Sequence, residues 1–249
     1  MADQPLFMIQ AELDRSRLFE LGRQFGMPIH RIDTGYLIHS ALRALFGAQS
    51  PQPFAVRPAR GRHLSVLGYA ALSHQQLQEH AHQFADPLTH SVCDIDGLVS
   101  KPMPQSWPCG HTLGFEVRFC PIVRKASEGA KHRKGAEVDA FLARCSAVGE
   151  GVSVDREETY RDWLRAQLER SGAARFQEAK LVRFQRERLA RQTHRAQRRW
   201  EFCDRPDVTM TGTLEVADAA AFQALLTRGV GRHRAFGFGM LLLRPPQER

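Results

Sequence analysis

Residues 229–239 read Gly229-Val230-Gly231-Arg232-His233-Arg234-Ala235-Phe236-Gly237-Phe238-Gly239, and the apolar run Met240 to Leu243 follows at once. Gly229, Gly231, Gly237 and Gly239 allow φ > 0 and close approach of the backbone to a neighbour. Upstream, Asp218 can cap a helix that ends near Arg228. Downstream the run stops at Arg244-Pro245-Pro246, the pattern of a short buried strand. The chain must therefore fold so that a helix delivers a cationic, glycine-rich loop straight into a core strand. With Arg232, His233 and Arg234 between the glycines, the expected use of such a loop is contact with phosphate oxygens; a turn needed only for packing is the competing reading. Met240 stands where a P-loop needs Lys-Ser or Lys-Thr, and a dinucleotide fingerprint has its strand before the glycines and its helix after them. Both nucleotide motifs are excluded.

The rest of the chain supplies the partners of that strand. Leu6–Leu13 and Leu64–Tyr69 read as strands, Ser73–Gln83 as a helix capped by Ser73, and Leu113–Val123 and Val208–Val216 as alternating strands. Gln52–Gly61 reads as a connector, and Phe84–Pro108, rich in proline and glycine, as irregular and the best place for a domain boundary. Strand, helix, strand, strand, helix, strand is the ferredoxin-like order. The expected architecture is α+β: an N-terminal ferredoxin-like (RRM-like) domain over 1–110 and a second over 111–249.

A helix from about Gly35 to Phe46, capped by Asp33 or Thr34 and stopped by Gly47, carries Ile38, Ala41, Leu42 and Leu45 on one face. Tyr36 and His39 lie three residues apart, on one side of it, and Arg43 continues the line. Hydroxyl, imidazole and guanidinium along one edge can supply proton transfer and anion stabilisation. A packed Tyr–His pair is the alternative.

Net charge at pH 7 is +8, which favours a polyanionic partner, nucleic acid above all. Arg118, Arg124, Lys125, Lys131, Arg133 and Lys134 cluster after the middle strand. From 170 to 200 the chain carries Arg183, Arg186, Arg191, Arg195, Arg198 and Arg199 with interleaved aromatics and no proline. That stretch is expected to form a basic helical insertion, its guanidiniums suited to phosphates and bases. Asp155–Leu168 reads as a helix, acid-rich at its start, with a Tyr160, Trp163, Leu164, Leu168 stripe. No run approaches the roughly 20 apolar residues of a membrane span, and no membrane partner is expected. The five cysteines form no C-x-x-C pair, pointing to reduced thiols of a cytoplasmic protein without a zinc site. His74, His80 and His82 lack the i, i+4 spacing of helical metal ligands, so no metal and no cofactor are expected.

Arg228-Gly229-Val230-Gly231 followed by Ala235-Phe236-Gly237-Phe238-Gly239-Met240 resembles the C-terminal glycine-rich loop of the CRISPR-associated RAMP superfamily. It is most similar to the CasE-type endoribonucleases of type I-E systems or their type IV counterparts. Tyr36-Leu37-Ile38-His39 matches the family's Tyr-x-x-His, and Arg118-Phe119-Cys120-Pro121 its Arg-x-x-Pro strand. The resemblance implies tandem ferredoxin-like domains and a metal-independent endoribonuclease. Such an enzyme cuts CRISPR precursor RNA at the repeat hairpin, leaves 2′,3′-cyclic phosphate and 5′-hydroxyl ends, and stays bound to the crRNA beside the other subunits of an effector complex. It implies a catalytic His39 assisted by Tyr36. Relatives carry a lysine five residues past that histidine; here the position is Ala44, which leaves charge stabilisation to Arg23 or Arg43. Whether His39 acts as base or acid stays open. A non-catalytic subunit capping the guide RNA, and a DNA-binding regulator using the basic stretch, are the rival functions.

Overall fold

The computed structural model describes residues 5–58, 61–126, 133–149, 151–192 and 200–246. The first half runs β1 (Phe7–Asp14), α1 (Arg15–Gln24), α2 (Thr34–Phe46), β2 (Phe54–Pro58), β3 (His63–Ala70), α3 (His74–Phe84), α4 (Pro87–Ser91) and β4 (Val99–Pro102). Its antiparallel sheet has the order β2-β3-β1-β4, the ferredoxin-like arrangement with the first and third strands central. The pleat of β1 turns Ile9, Ala11 and Leu13 inward, where Ile38, Leu42 and Leu45 of α2 and Leu77 and Ala81 of α3 cover them. Ser73 caps α3 in a reciprocal capping box with Gln76. Two stretches read from sequence as connector and irregular chain, 52–61 and 84–108, contain β2 and β4. These edge strands are five and four residues long, too short to display alternation, and their partners β3 and β1 provide the ladder.

Between Pro102 and Thr112 the chain passes to a second sheet. There follow β5 (Thr112–Phe119), β6 (Ile122–Arg124), β7 (Glu137–Asp139), α5 (Ala140–Val148), α6 (Arg156–Glu169), β8 (Ala174–Gln192), β9 (Trp200–Val216), α7 (Ala219–Arg228) and β10 (Leu241–Arg244). The antiparallel order β10-β5-β9-β8 repeats that of the first sheet, and β6 and β7 form a separate pair. Asp155 caps α6, whose Tyr160, Leu164 and Leu168 are buried, while Trp163 stacks on Phe119 with centroids 5.3 Å apart. The halves are tied by the buried Tyr69 hydroxyl, which donates to the Leu241 carbonyl at 2.9 Å. Among the described residues no helix is long and apolar enough to cross a membrane.

The expected basic helical insertion is not helical: its described part lies in strands β8 and β9. They pair from Ala174↔Val216 out to Gln192↔Trp200. β5 accompanies β9 only from Val208 to Glu215, so beyond Val208 the two long strands continue as a two-stranded ribbon. Helix propensity is a weak prior that tertiary pairing overrides. Here Arg188 faces Asp204 across the ladder and pairs with it at 3.2 Å, a cross-strand contact of opposite charges that favours this register. Pro206 is tolerated because β9 has only one neighbour there.

Candidate functional site

Asp33 starts α2. Its Oδ1 accepts from the Tyr36 N–H at 2.8 Å and its Oδ2 from the Ala190 N–H of β8 at 3.1 Å. One carboxylate, 6% exposed, thus fixes the helix start and binds it to the ribbon. Burial raises its pKa, while the N–H donors pull the other way. Gly35 follows because a Cβ there would strike the Phe236 carbonyl of the glycine-rich loop. Loop, helix and ribbon therefore meet around Tyr36, whose ring lies 5.5 Å from that of Phe236 and edge-on, at 88°, to Trp200.

His39 sits one turn on, its ring 6.2 Å from that of Tyr36. With Arg43 and Ser40 the two line an open groove of about 390 Å³, completed by Phe25, Met27, Ala44 and Trp200. Burial, then the nearby Arg43 cation, lowers the pKa of His39, so its imidazole is neutral at pH 7. Burial, then Asp33, raises that of Tyr36, keeping the phenol protonated. A neutral base, a protonated hydroxyl and an exposed cation on one wall suit proton transfer at an anionic centre. Arg23 is exposed in the last turn of α1 and does not line the groove. Nothing in sequence spacing links Phe25, Met27 or Trp200 to His39; only the fold does.

The glycine-rich loop is packed against the protein. All four of its glycines have positive φ, and three of its backbone N–H groups close on the protein: Val230 to Gly239 O, Gly237 to Arg234 O and Gly239 to Arg118 O at 2.7 Å. A Cβ on Gly239 would lie 2.5 Å from the Val230 carbonyl, and one on Gly231 2.7 Å from the Trp163 ring. Arg232 and His233 close on Glu137, at 3.1 Å each, together with Arg205. The His233 hydrogen bond, offset in part by burial, leads in holding Glu137 down to about 2. Arg234 donates to the Arg228 carbonyl. The loop is a packed joint that seats α2, with the Arg232 side chain still exposed.

Arg118 is engaged within the protein as well. It grips the fully buried Asp207 through Nε at 2.8 Å and a second nitrogen at 3.1 Å, and lies over the Phe238 ring. Arg183 shares that carboxylate at 3.0 Å. Arg124 and Arg133 are exposed and Lys125 half-buried around the β6–β7 hairpin, while Arg186 and Arg191 are exposed on β8. Lys131, Arg195, Arg198 and Arg199 lie outside the described residues. Among the described residues no group of three His, Cys, Asp or Glu is placed to hold a metal ion.

Three solved structures share this fold along nearly the whole chain. A structure of the CRISPR endoribonuclease Cse3 bound to 19 nt RNA matches with a TM-score of 0.64 and 19% identity, over 97% of this chain and 100% of that one. The CRISPR-associated protein Cas6e of Escherichia coli K-12 matches with a TM-score of 0.57 and 19% identity, over 96% and 100%. A chain of a CRISPR RNA-guided surveillance complex matches with a TM-score of 0.56 and 13% identity, over 96% and 100%. No curated protein sequence matches. The family model described as CRISPR associated protein matches residues 6–245, and the chain belongs to that family of CRISPR-associated proteins.

Proposed function

We propose that the protein is an endoribonuclease that cuts CRISPR precursor RNA at the repeat hairpin and keeps the product as a subunit of an effector complex. The observation that carries this is the placement of Tyr36, His39 and Arg43 along a groove at the foot of the β8–β9 ribbon. Support for the substrate and the retention comes from the fold shared with an endoribonuclease bound to RNA and with a chain of an RNA-guided surveillance complex.

The reaction needs no metal. His39, neutral at pH 7, takes the proton of a ribose 2′-hydroxyl, whose oxygen attacks the adjacent phosphorus. The P–O5′ bond breaks, and the leaving oxygen takes a proton, for which the Tyr36 phenol is the placed donor. Arg43 faces the charge that develops on the phosphorane. The ends are a 2′,3′-cyclic phosphate and a 5′-hydroxyl. Asp33 holds both groups in place through the start of α2.

Incubating the purified protein with repeat RNA in EDTA tests this. One cut, leaving a cyclic phosphate, is the expected result. Cleavage abolished by EDTA and restored by a divalent ion would refute the mechanism. Tight binding without any cut would favour the capping subunit instead.

A further inference from the structure

We propose that the groove beside His39 is a nucleobase slot, in which one unpaired base flanking the cut phosphate stacks on Phe25. The inference rests on the ribonuclease reading above and adds how the substrate is held there. Phe25 is a large aromatic residue with 44% of its surface exposed, at a point where the backbone is pinned by hydrogen bonds. It is the C-cap of α1, and its N–H donates to the Leu21 carbonyl at 3.0 Å. The next turn is closed by Gly26 N–H to Arg23 O at 2.9 Å and Met27 N–H to Gly22 O at 3.0 Å. The ring is therefore presented on a fixed turn, so a ligand stacking on it meets little ordering cost.

The groove has two chemically distinct walls. Tyr36, His39, Ser40 and Arg43 are polar and suit a ribose and its phosphate, whereas Phe25 and Met27 are apolar and Trp200 adds a second ring. Its volume of about 390 Å³ is near the small end of the roughly 300–1,000 Å³ of ligand clefts. That is room for one nucleotide, not for a base-paired stem. RNA is commonly read at unpaired nucleotides whose bases stack on aromatic side chains. A base splayed into this groove brings its own 2′-hydroxyl and phosphate to the wall that carries His39.

The test uses repeat RNA made uncleavable by a 2′-deoxy sugar on the 5′ side of the cut, with 2-aminopurine placed in turn at each flanking nucleotide. Binding of the wild-type protein should quench the fluorophore at one flanking position, and Phe25→Ala should remove that quench. Affinity should fall roughly 5- to 150-fold, the usual range for one base–aromatic stack. An abasic nucleotide at the same position should make the wild type and Phe25→Ala bind alike. Phe25→Leu, which keeps an apolar side chain without the ring, should behave more like Ala than like Phe in the quench. Equal quenching and affinity in the wild type and Phe25→Ala, or a Phe25→Ala loss that persists undiminished on abasic RNA, would overturn the slot. Failure of the ribonuclease reading is seen separately, as wild-type protein that leaves all-ribose RNA uncut.

Discussion

In the glycine-rich loop, Arg232 and His233 close on Glu137, Arg234 donates to a carbonyl, and the backbone N–H groups of Val230, Gly237 and Gly239 are already bonded. In the ribbon, Arg186 and Arg191 stand exposed, without a carboxylate partner among the described residues, and Trp200 reaches the groove. Both regions read as anion-binding from composition. They differ in what surrounds them: the loop is wedged between Trp163, Pro53, Phe54 and the start of α2, while the ribbon runs past β5 with no third strand beside it among the described residues. Charge and glycine content therefore identify a region that matters without saying whether its polar groups face a ligand or the protein itself.

The largest effect should come from filling the loop. Gly239 has φ near +87° and a Cβ would meet the Val230 carbonyl, so Gly239→Ala combines backbone strain with overpacking and should lower stability by roughly 2–4 kcal/mol. Gly26, also at positive φ but with nothing within 4 Å, should lose only about 1–2 kcal/mol as Ala. Thermal or urea unfolding of the two variants checks this; equal losses would mean that the loop is not the packed joint described.

Charge removal should sharpen the contrast in the opposite direction. Arg186→Ala with Arg191→Ala should weaken binding of repeat hairpin RNA and flatten the slope of log K against log salt by about one to two units, a little under one per lost phosphate contact. Arg232→Ala with Arg234→Ala should leave that slope unchanged. The reverse outcome would return the anion-binding role to the loop.

A smaller effect is expected in the pH profile. His39 in the folded protein binds its proton less readily than a free imidazole, because it is buried and Arg43 is near. If the neutral form is the active base, cleavage should rise with pH through a midpoint below 6.5. Stability linked to this group follows the same sign: it is lost as pH falls through the unfolded value toward the folded one. Arg43→Gln should move the kinetic midpoint upward. A rate that instead falls as pH rises through that region would make His39 the acid.

Much of the scaffold was legible from periodicity and caps. Asp33, Ser73, Asp155 and Asp218 each cap the helix that follows, and β1, β3, β5 and the inner part of β9 alternate as half-buried strands do. What failed was short or paired at long range. β2 and β4 depend on their neighbours, and the strand character of 174–192 comes from its ladder with a partner beyond residue 200, which local propensity for arginine-rich chain cannot register. At the site, Tyr36, His39 and Arg43 were visible because they share one helix edge. Phe25, Trp200 and the bridge from Asp33 to Ala190 were not, since each joins elements far apart in sequence. The pairing of Arg118 with Asp207 was not legible for the same reason, the two being 89 positions apart.

The proposed chemistry lies on α2, at the foot of the ribbon, and not in the glycine-rich loop. The most direct measurement is the single-turnover cleavage rate of repeat RNA in EDTA, at saturating protein, for the wild type, His39→Ala and Arg232→Ala. His39→Ala should be slower by roughly 100-fold or more, the usual range for loss of a general acid or base, with RNA affinity nearly unchanged, and Arg232→Ala should cut at the wild-type rate. A His39→Ala variant that cleaves normally, or an Arg232→Ala variant that is the slower of the two, would contradict the account.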